Sequence, residues 1–303
     1  MQCWCGNLNL DPFGEGYHRC AACQTLLSDA TDAGFNPRVM DESSDLYGRE
    51  YWFGHQTQDL NCPDIVTRSR SDLAERAIHW LRSLLRFRLP PARVLELGCA
   101  HGGFVAMLRQ AGFDALGLEL SPCIVEFARQ TFGIEVLTGP IEDQAIAPRS
   151  LDVIVMMDVM EHLADPLRTL GRCLELIEDD GLLLIQTPSY PEGKSLEELR
   201  SIGHKFPQML DPREHLYLFS PASVRELFHR LGADHIVFIP AIFDFYDMSF
   251  VVSRKPLAEI PMAAREAALM TTNPGRMLQA LIDLDARRLD LLEKYRLVLR
   301  NEK

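Results

Sequence analysis

The chain is short of positive charge. Lys and Arg number 31 against 43 Asp and Glu, a formal net charge of −12 over 303 residues. Nucleic-acid affinity comes largely from clustered Lys and Arg, so nucleic acid is not the expected partner. Arg82, Arg86 and Arg88 form a local basic group, and their spacing reads as a solvated helix face. No apolar run approaches the roughly 20 residues of a membrane span. The amino terminus also lacks the basic-then-apolar order of a signal peptide. The expectation is a cytoplasmic protein without a membrane span. Thiols stay reduced there, so the eight cysteines read as metal ligands or core residues. An apolar fraction of 47% with 24% charged residues fits an ordinary soluble protein with a sizeable core. The length suggests about two domains, or one large domain with appendages.

What is present begins with Val94-Leu95-Glu96-Leu97-Gly98-Cys99-Ala100-His101-Gly102-Gly103-Phe104. An apolar run ends in a carboxylate and passes into a small, glycine-rich turn, as where a first strand meets a first helix. Such a turn lets a ligand approach backbone, and the helix offers unpaired N–H groups. Leu116-Gly117-Leu118-Glu119-Leu120 reads as a second strand, ending where a carboxylate can take a ribose diol. Two more strands follow at Leu151 to Met157 and Gly181 to Thr187, the former running into the polar group Asp158, Glu161 and His162.

The stretches VLELGCAHG, GLEL, LDVIVMMDVMEHLADP and GLLLIQTP together resemble the class I S-adenosylmethionine-dependent methyltransferases over roughly residues 60 to 255. The resemblance implies an α/β, Rossmann-like fold: a seven-stranded, mostly parallel sheet with an antiparallel last strand. It implies that Glu96, Gly98, Ala100 and Gly102 hold the methionine part of S-adenosylmethionine, and that Glu119 with Leu120 holds the ribose. Ala100 stands where the family usually has glycine. Ile141 and Glu142 lie where such enzymes hold the adenine, although Pro140 occupies a position that often carries an acidic residue. Asp158 is counted with the cofactor residues.

Strand and helix alternate through the core, with strands expected at 93–97, 115–119, 134–137, 151–157, 181–187, 234–239 and 247–254. Helices are expected at 64–87, 102–111, 122–131, 165–177 and 221–231. Ser121-Pro122 and Ser220-Pro221 each place a capping oxygen before a first-turn proline. The domain reading is a unit over 1–30, an aromatic linker and first helix over 31–90, a cofactor domain over 91–255, and a helical extension over 256–303. Residues 188–219 break the pattern at the carboxyl edge of the sheet and read as a substrate lid.

In residues 1–30, Cys3-x-Cys5 and Cys20-x-x-Cys23 can set four sulfurs around one structural Zn²⁺, since so small a unit has little core of its own. This resembles a zinc ribbon. The aromatic run Tyr47 to Phe53 either closes over cofactor and substrate or packs the cysteine unit on the main domain. In the tail, Met277, Leu281, Leu284, Leu291, Tyr295 and Val298 recur near three-four spacing, interrupted by Arg288. That stripe either docks on its own domain or, as preferred, pairs copies into a homo-oligomer.

Methyl transfer asks the enzyme to align an acceptor and take up a proton. His162 and His215 are the candidate bases, with Glu161 orienting the imidazole. In a competing version Asp158, Glu161, His162 and His215 hold a divalent cation, a pattern similar to that of some metal-dependent methyltransferases. His101 is expected to be exposed. The preferred function is O-methylation of a small molecule, such as a sugar or nucleotide sugar of a polysaccharide, glycolipid or secondary metabolite, because an amino-terminal zinc unit resembles bacterial sugar methyltransferases. RNA or protein methylation and a non-catalytic cofactor-binding scaffold are the alternatives.

Overall fold

The central strands are apolar nearly without interruption because helices cover both faces of the sheet, so every residue meets a core. In the computed structural model, which describes residues 1–33, 38–59 and 62–301, these strands are β4 (Arg93–Leu97), β5 (Asp114–Glu119), β6 (Val136–Thr138), β7 (Leu151–Met157), β8 (Ile177–Pro188), β10 (His235–Ile239) and β11 (Asp247–Ser253). Their order is β10-β11-β8-β7-β4-β5-β6. All run parallel except β11, which lies antiparallel between β8 and β10. Alternate residues serve opposite faces: Leu95, Ile154, Met156, Leu183 and Ile185 pack in one core, and Val94, Val153, Val155, Leu182 and Leu184 in the other. Burying each such side chain contributes roughly 1.5–3 kcal/mol.

The expected helix over 64–87 is capped by Asp64, whose side chain accepts from Thr67 N–H. It runs as Ile65–Asp72, one wider turn over Leu73–Ala77, and Ile78–Leu85. Ser220 caps the helix Pro221–Arg230 as expected. Ser121 makes no such bond for the helix Pro122–Phe132. The linker residue Glu42 caps it instead, accepting Cys123 N–H at 2.7 Å, an acidic group at the positive helix end.

The N-terminal strands β1 (Leu10–Gly14), β2 (Tyr17–Cys20) and β3 (Leu26–Ser28) form a second sheet that is completed from far along the chain by β9 (Tyr217–Leu218). Residues 188–219, expected to be irregular, carry the helix Leu196–Ser201 and the strand β9. Tyr190, Leu199 and Phe206 are buried with Tyr17, Leu26 and Leu218 in a separate apolar cluster. In the tail, helices Met262–Leu269 and Asn273–Asn301 follow. Leu278 and Asp285 face the core, whereas Met277, Leu281, Leu284, Leu291 and Tyr295 are exposed. The Val298 side chain and Glu302 lie outside the described residues. No described helix is long and apolar enough to cross a membrane.

Candidate active site

The carboxyl ends of β4, β5 and β7 open into a cleft of about 370 Å³. Gly98 lies on its floor with φ +73°, and a Cβ there would come within 2.5 Å of Val159 Cγ2. Glu119, at the end of β5, is 5% exposed. Its Oε1 accepts from Leu120 N–H (2.8 Å) and Ser121 N–H (3.1 Å), and its Oε2 from Ala100 N–H (3.1 Å). Burial raises its pKa against the pull of those amides. A carboxylate has about four acceptor positions, so one on Oε2 is left for a hydroxyl. Ile141 and Glu142 line the far end, where Glu142 accepts the Thr169 hydroxyl and Asp143 pairs with Arg38 of the linker. Tyr47, Tyr51 and Trp52 form a wall, with Tyr51 edge-on to the other two at 5.2 and 5.3 Å between ring centres.

Glu96, Ala100 and Gly102 are not in that lining. The two-residue alternation of β4 gives Leu97 the cleft side. Glu96 is 4% exposed behind it, accepts the Val105 amide, and has its pKa raised by burial. Gly102 begins the next helix, where a Cβ would meet Ile134 and Ala128. These three residues support the turn from behind. His101, expected outside, is buried: Nδ1 accepts Gly103 N–H at 3.0 Å, which leaves Nε2–H to donate to Asp72 at 3.1 Å.

The histidine end of the cleft is built from β7, its following turn and the segment before β9. Glu161 is 1% exposed and accepts the Thr187 hydroxyl at 2.9 Å; burial, then Asp158, holds its carboxyl well above the ordinary range. His162 lines the cleft and donates Nδ1–H to the Glu214 carbonyl at 2.8 Å. Burial, then the neighbouring His215, pushes its pKa down to about 3, so the imidazole is neutral with a lone pair on Nε2. His215 donates Nδ1–H to the Met209 carbonyl at 2.7 Å, and the two rings stand 4.9 Å apart. Expected as the orienting group, Glu161 lies 3.9 Å from His162 Nε2; the Glu214 carbonyl orients the ring instead.

Donor atoms of Glu161, His162 and His215 lie within 4.8 Å of one another. Asp158 does not join them, because Gln186 (3.1 Å) and Arg76 (3.2 Å) hold its carboxylate elsewhere. Sequence reasoning missed Glu214, whose Oε1 meets His55 Nε2 at 2.6 Å and whose Oε2 accepts the Tyr51 hydroxyl at 3.3 Å. No local pattern joins residues so far apart in sequence. The four expected sulfurs do meet: Cys3 and Cys23 are 3.4 Å apart, Cys5 and Cys20 3.5 Å, and all four lie within 4.8 Å of one another. Tetrahedral Zn–S bonds of about 2.3 Å imply sulfurs about 3.8 Å apart, which this group matches.

An open α/β sheet with a cleft at the carboxyl ends of its strands places this protein among the α/β domains that bind ligands at that edge. The sequence pattern of the methyltransferase-domain family matches residues 69–236, and the chain belongs to that family. Curated relatives include the ubiquinone biosynthesis O-methyltransferases of Xanthomonas campestris, 31% identical over 108 residues, and Cereibacter sphaeroides, 33% over 100 residues. The matches cover 34% and 31% of this chain, and 45% and 40% of those proteins. Similar solved structures include the complex of the Haloferax volcanii Trm112 methyltransferase activator with a methyltransferase (TM-score 0.49, 20% identity, 63% of this chain and 94% of that one). Another is the magnesium protoporphyrin IX methyltransferase of Synechocystis with bound S-adenosylhomocysteine (0.44, 19%, 63% and 86%).

Proposed function

We propose that the protein binds S-adenosylmethionine between the Gly98 turn and Glu119 and methylates an oxygen of a small hydroxylated molecule seated against His162, whose ring packs on that of His215 just outside the cleft lining. The carrying observation is that one cleft joins a buried ribose-type carboxylate to a neutral imidazole. The cofactor supplies a methyl group on a positive sulfur, which keeps the bonding electrons as the methyl leaves. Glu119 takes a ribose hydroxyl, and Gly98 leaves room for the ligand against backbone. His162 Nε2 accepts the acceptor's O–H hydrogen bond and then its proton. A base this weak suffices, because the oxygen becomes strongly acidic as its bond to carbon forms. The aromatic wall suits the flat face of a sugar or of a phenol, and the relatives' names support oxygen as the methylated atom. A sugar or nucleotide sugar is the first acceptor class to test. A divalent cation on Glu161, His162 and His215 is a second reading, favoured by their convergence.

The four cysteines hold Zn²⁺ in this reading, and the exposed tail stripe pairs with a second copy of the chain. Calorimetric titration of S-adenosylhomocysteine tests the core of it, with Glu119→Ala as control and metal measured on the same sample. Micromolar binding that weakens at least about tenfold in the variant is expected. Absent binding to the folded wild type refutes the reading. Labelled-methyl transfer to nucleotide sugars and phenols, with and without chelator, then separates acceptors and the two treatments of the histidine group.

A further inference from the structure

The segment 212–218, which carries Glu214 and His215, has three of its backbone carbonyls taken by the N-terminal hairpin. Tyr17 Oη donates to the His215 carbonyl at 2.7 Å. Ser28 N–H donates to the Leu216 carbonyl at 2.9 Å, and its hydroxyl donates to the Pro212 carbonyl. Leu26 and Leu27 pair with Leu218 and Tyr217 where β9 joins β3 in the smaller sheet. The hairpin tip is pressed on the same segment: Gly16 has φ +76°, and a Cβ there would lie 3.1 Å from Pro212 Cγ. Tyr17 is 1% exposed and Ser28 fully buried, so water does not replace these bonds.

On its other side the segment aims the imidazoles. The Glu214 carbonyl fixes the His162 tautomer, and the chain turn that returns His215 Nδ1–H to Met209 fixes the second. Rotating this strand by one residue would turn a carbonyl away from His162.

We propose that the cysteine-bearing N-terminal unit is a built-in positioning element for the acceptor-side histidines, acting through Tyr17 and Ser28 on residues 212–218. This rests on the reading of His162 and His215 as facing the acceptor. Tyr17 and Ser28 are positioning residues: neither lines the cleft, and both hydrogen-bond the histidine segment through its backbone carbonyls. The unit's sulfur cluster keeps β2 and β3 in register, and the hairpin carries that order to the site.

The test uses the full chain with Tyr17→Phe combined with Ser28→Ala, and Tyr17→Phe alone should the pair fail to fold. Amide exchange over 212–218 is expected to quicken at least about tenfold, with 93–119 unchanged. Imidazole ¹⁵N shifts should show His162 and His215 losing their pure Nδ1–H tautomers. Affinity for S-adenosylhomocysteine should stay within about twofold. Exchange and tautomers identical to wild type would overturn the proposal, as would equal quickening in both regions. If wild-type protein does not bind S-adenosylhomocysteine, the cofactor reading fails, while the exchange and tautomer data still decide whether the hairpin positions the histidines.

Discussion

Gly98→Ala separates two physical costs at the floor of the cleft. The backbone there has φ +73°, which costs an L-residue about 1–2 kcal/mol. The new Cβ would also meet Val159 Cγ2 at 2.5 Å, and overlap of that kind costs about 1–3 kcal/mol. The single variant should therefore lose about 2–5 kcal/mol in urea unfolding. Its affinity for S-adenosylhomocysteine should fall at least about tenfold, because the displaced valine moves into the space the ligand uses. Val159→Ala alone removes a half-buried side chain and should cost about 1 kcal/mol. In the double variant the overlap vanishes and only the backbone cost and the lost valine remain. The double should then be more stable than the sum of the singles by about 1–3 kcal/mol, the overlap cost it removes. Additivity within about 0.5 kcal/mol would refute the steric part, and a Gly98→Ala protein as stable as wild type would refute both parts.

Asp72 is buried; burial opposes its charge, but His101, Arg68 and Arg76 hold its pKa below the ordinary value. Its stabilisation is complete above the unfolded value of about 3.9 and is lost as pH falls through the folded one, so Asp72→Asn should cost about 1–3 kcal/mol at pH 7 and flatten the acid limb of a pH–stability curve. Leu284 is 62% exposed within the tail stripe, so Leu284→Glu should convert a species of twice the chain mass into one of single mass in analytical ultracentrifugation, with the melting temperature unchanged within a few degrees.

The sheet was legible because its signals are local. Val153 to Met156 are all fully buried, and a strand covered on both faces is written mostly with apolar residues. The gap between β10 and β11 announced the reversed last strand for a similar reason, since it is too short for a crossover helix. Glu119 and the four cysteines were found by spacing along the chain. Glu96 lies behind the cleft lining, which the motif does not specify: it gives a residue's position in the turn and not the side of the pleat it occupies. His101 was expected outside because its partner, Asp72, lies on an earlier helix that periodicity alone could not bring against the turn.

The contacts that aim the imidazoles left no trace for a deeper reason. His162 is held by the carbonyl of Glu214, and His215 by the carbonyl of Met209. Tyr17 in turn holds the carbonyl of His215. Every residue owns a carbonyl, so no residue type marks one that does this work. The sequence shows only the side chain at the donating end, and a buried tyrosine in a cysteine-bearing hairpin reads first as core. The partner it binds lies 198 residues away. The orientation of these two imidazoles is therefore written in tertiary contacts around the pairing of β3 with β9, whereas the imidazoles themselves are written in side chains.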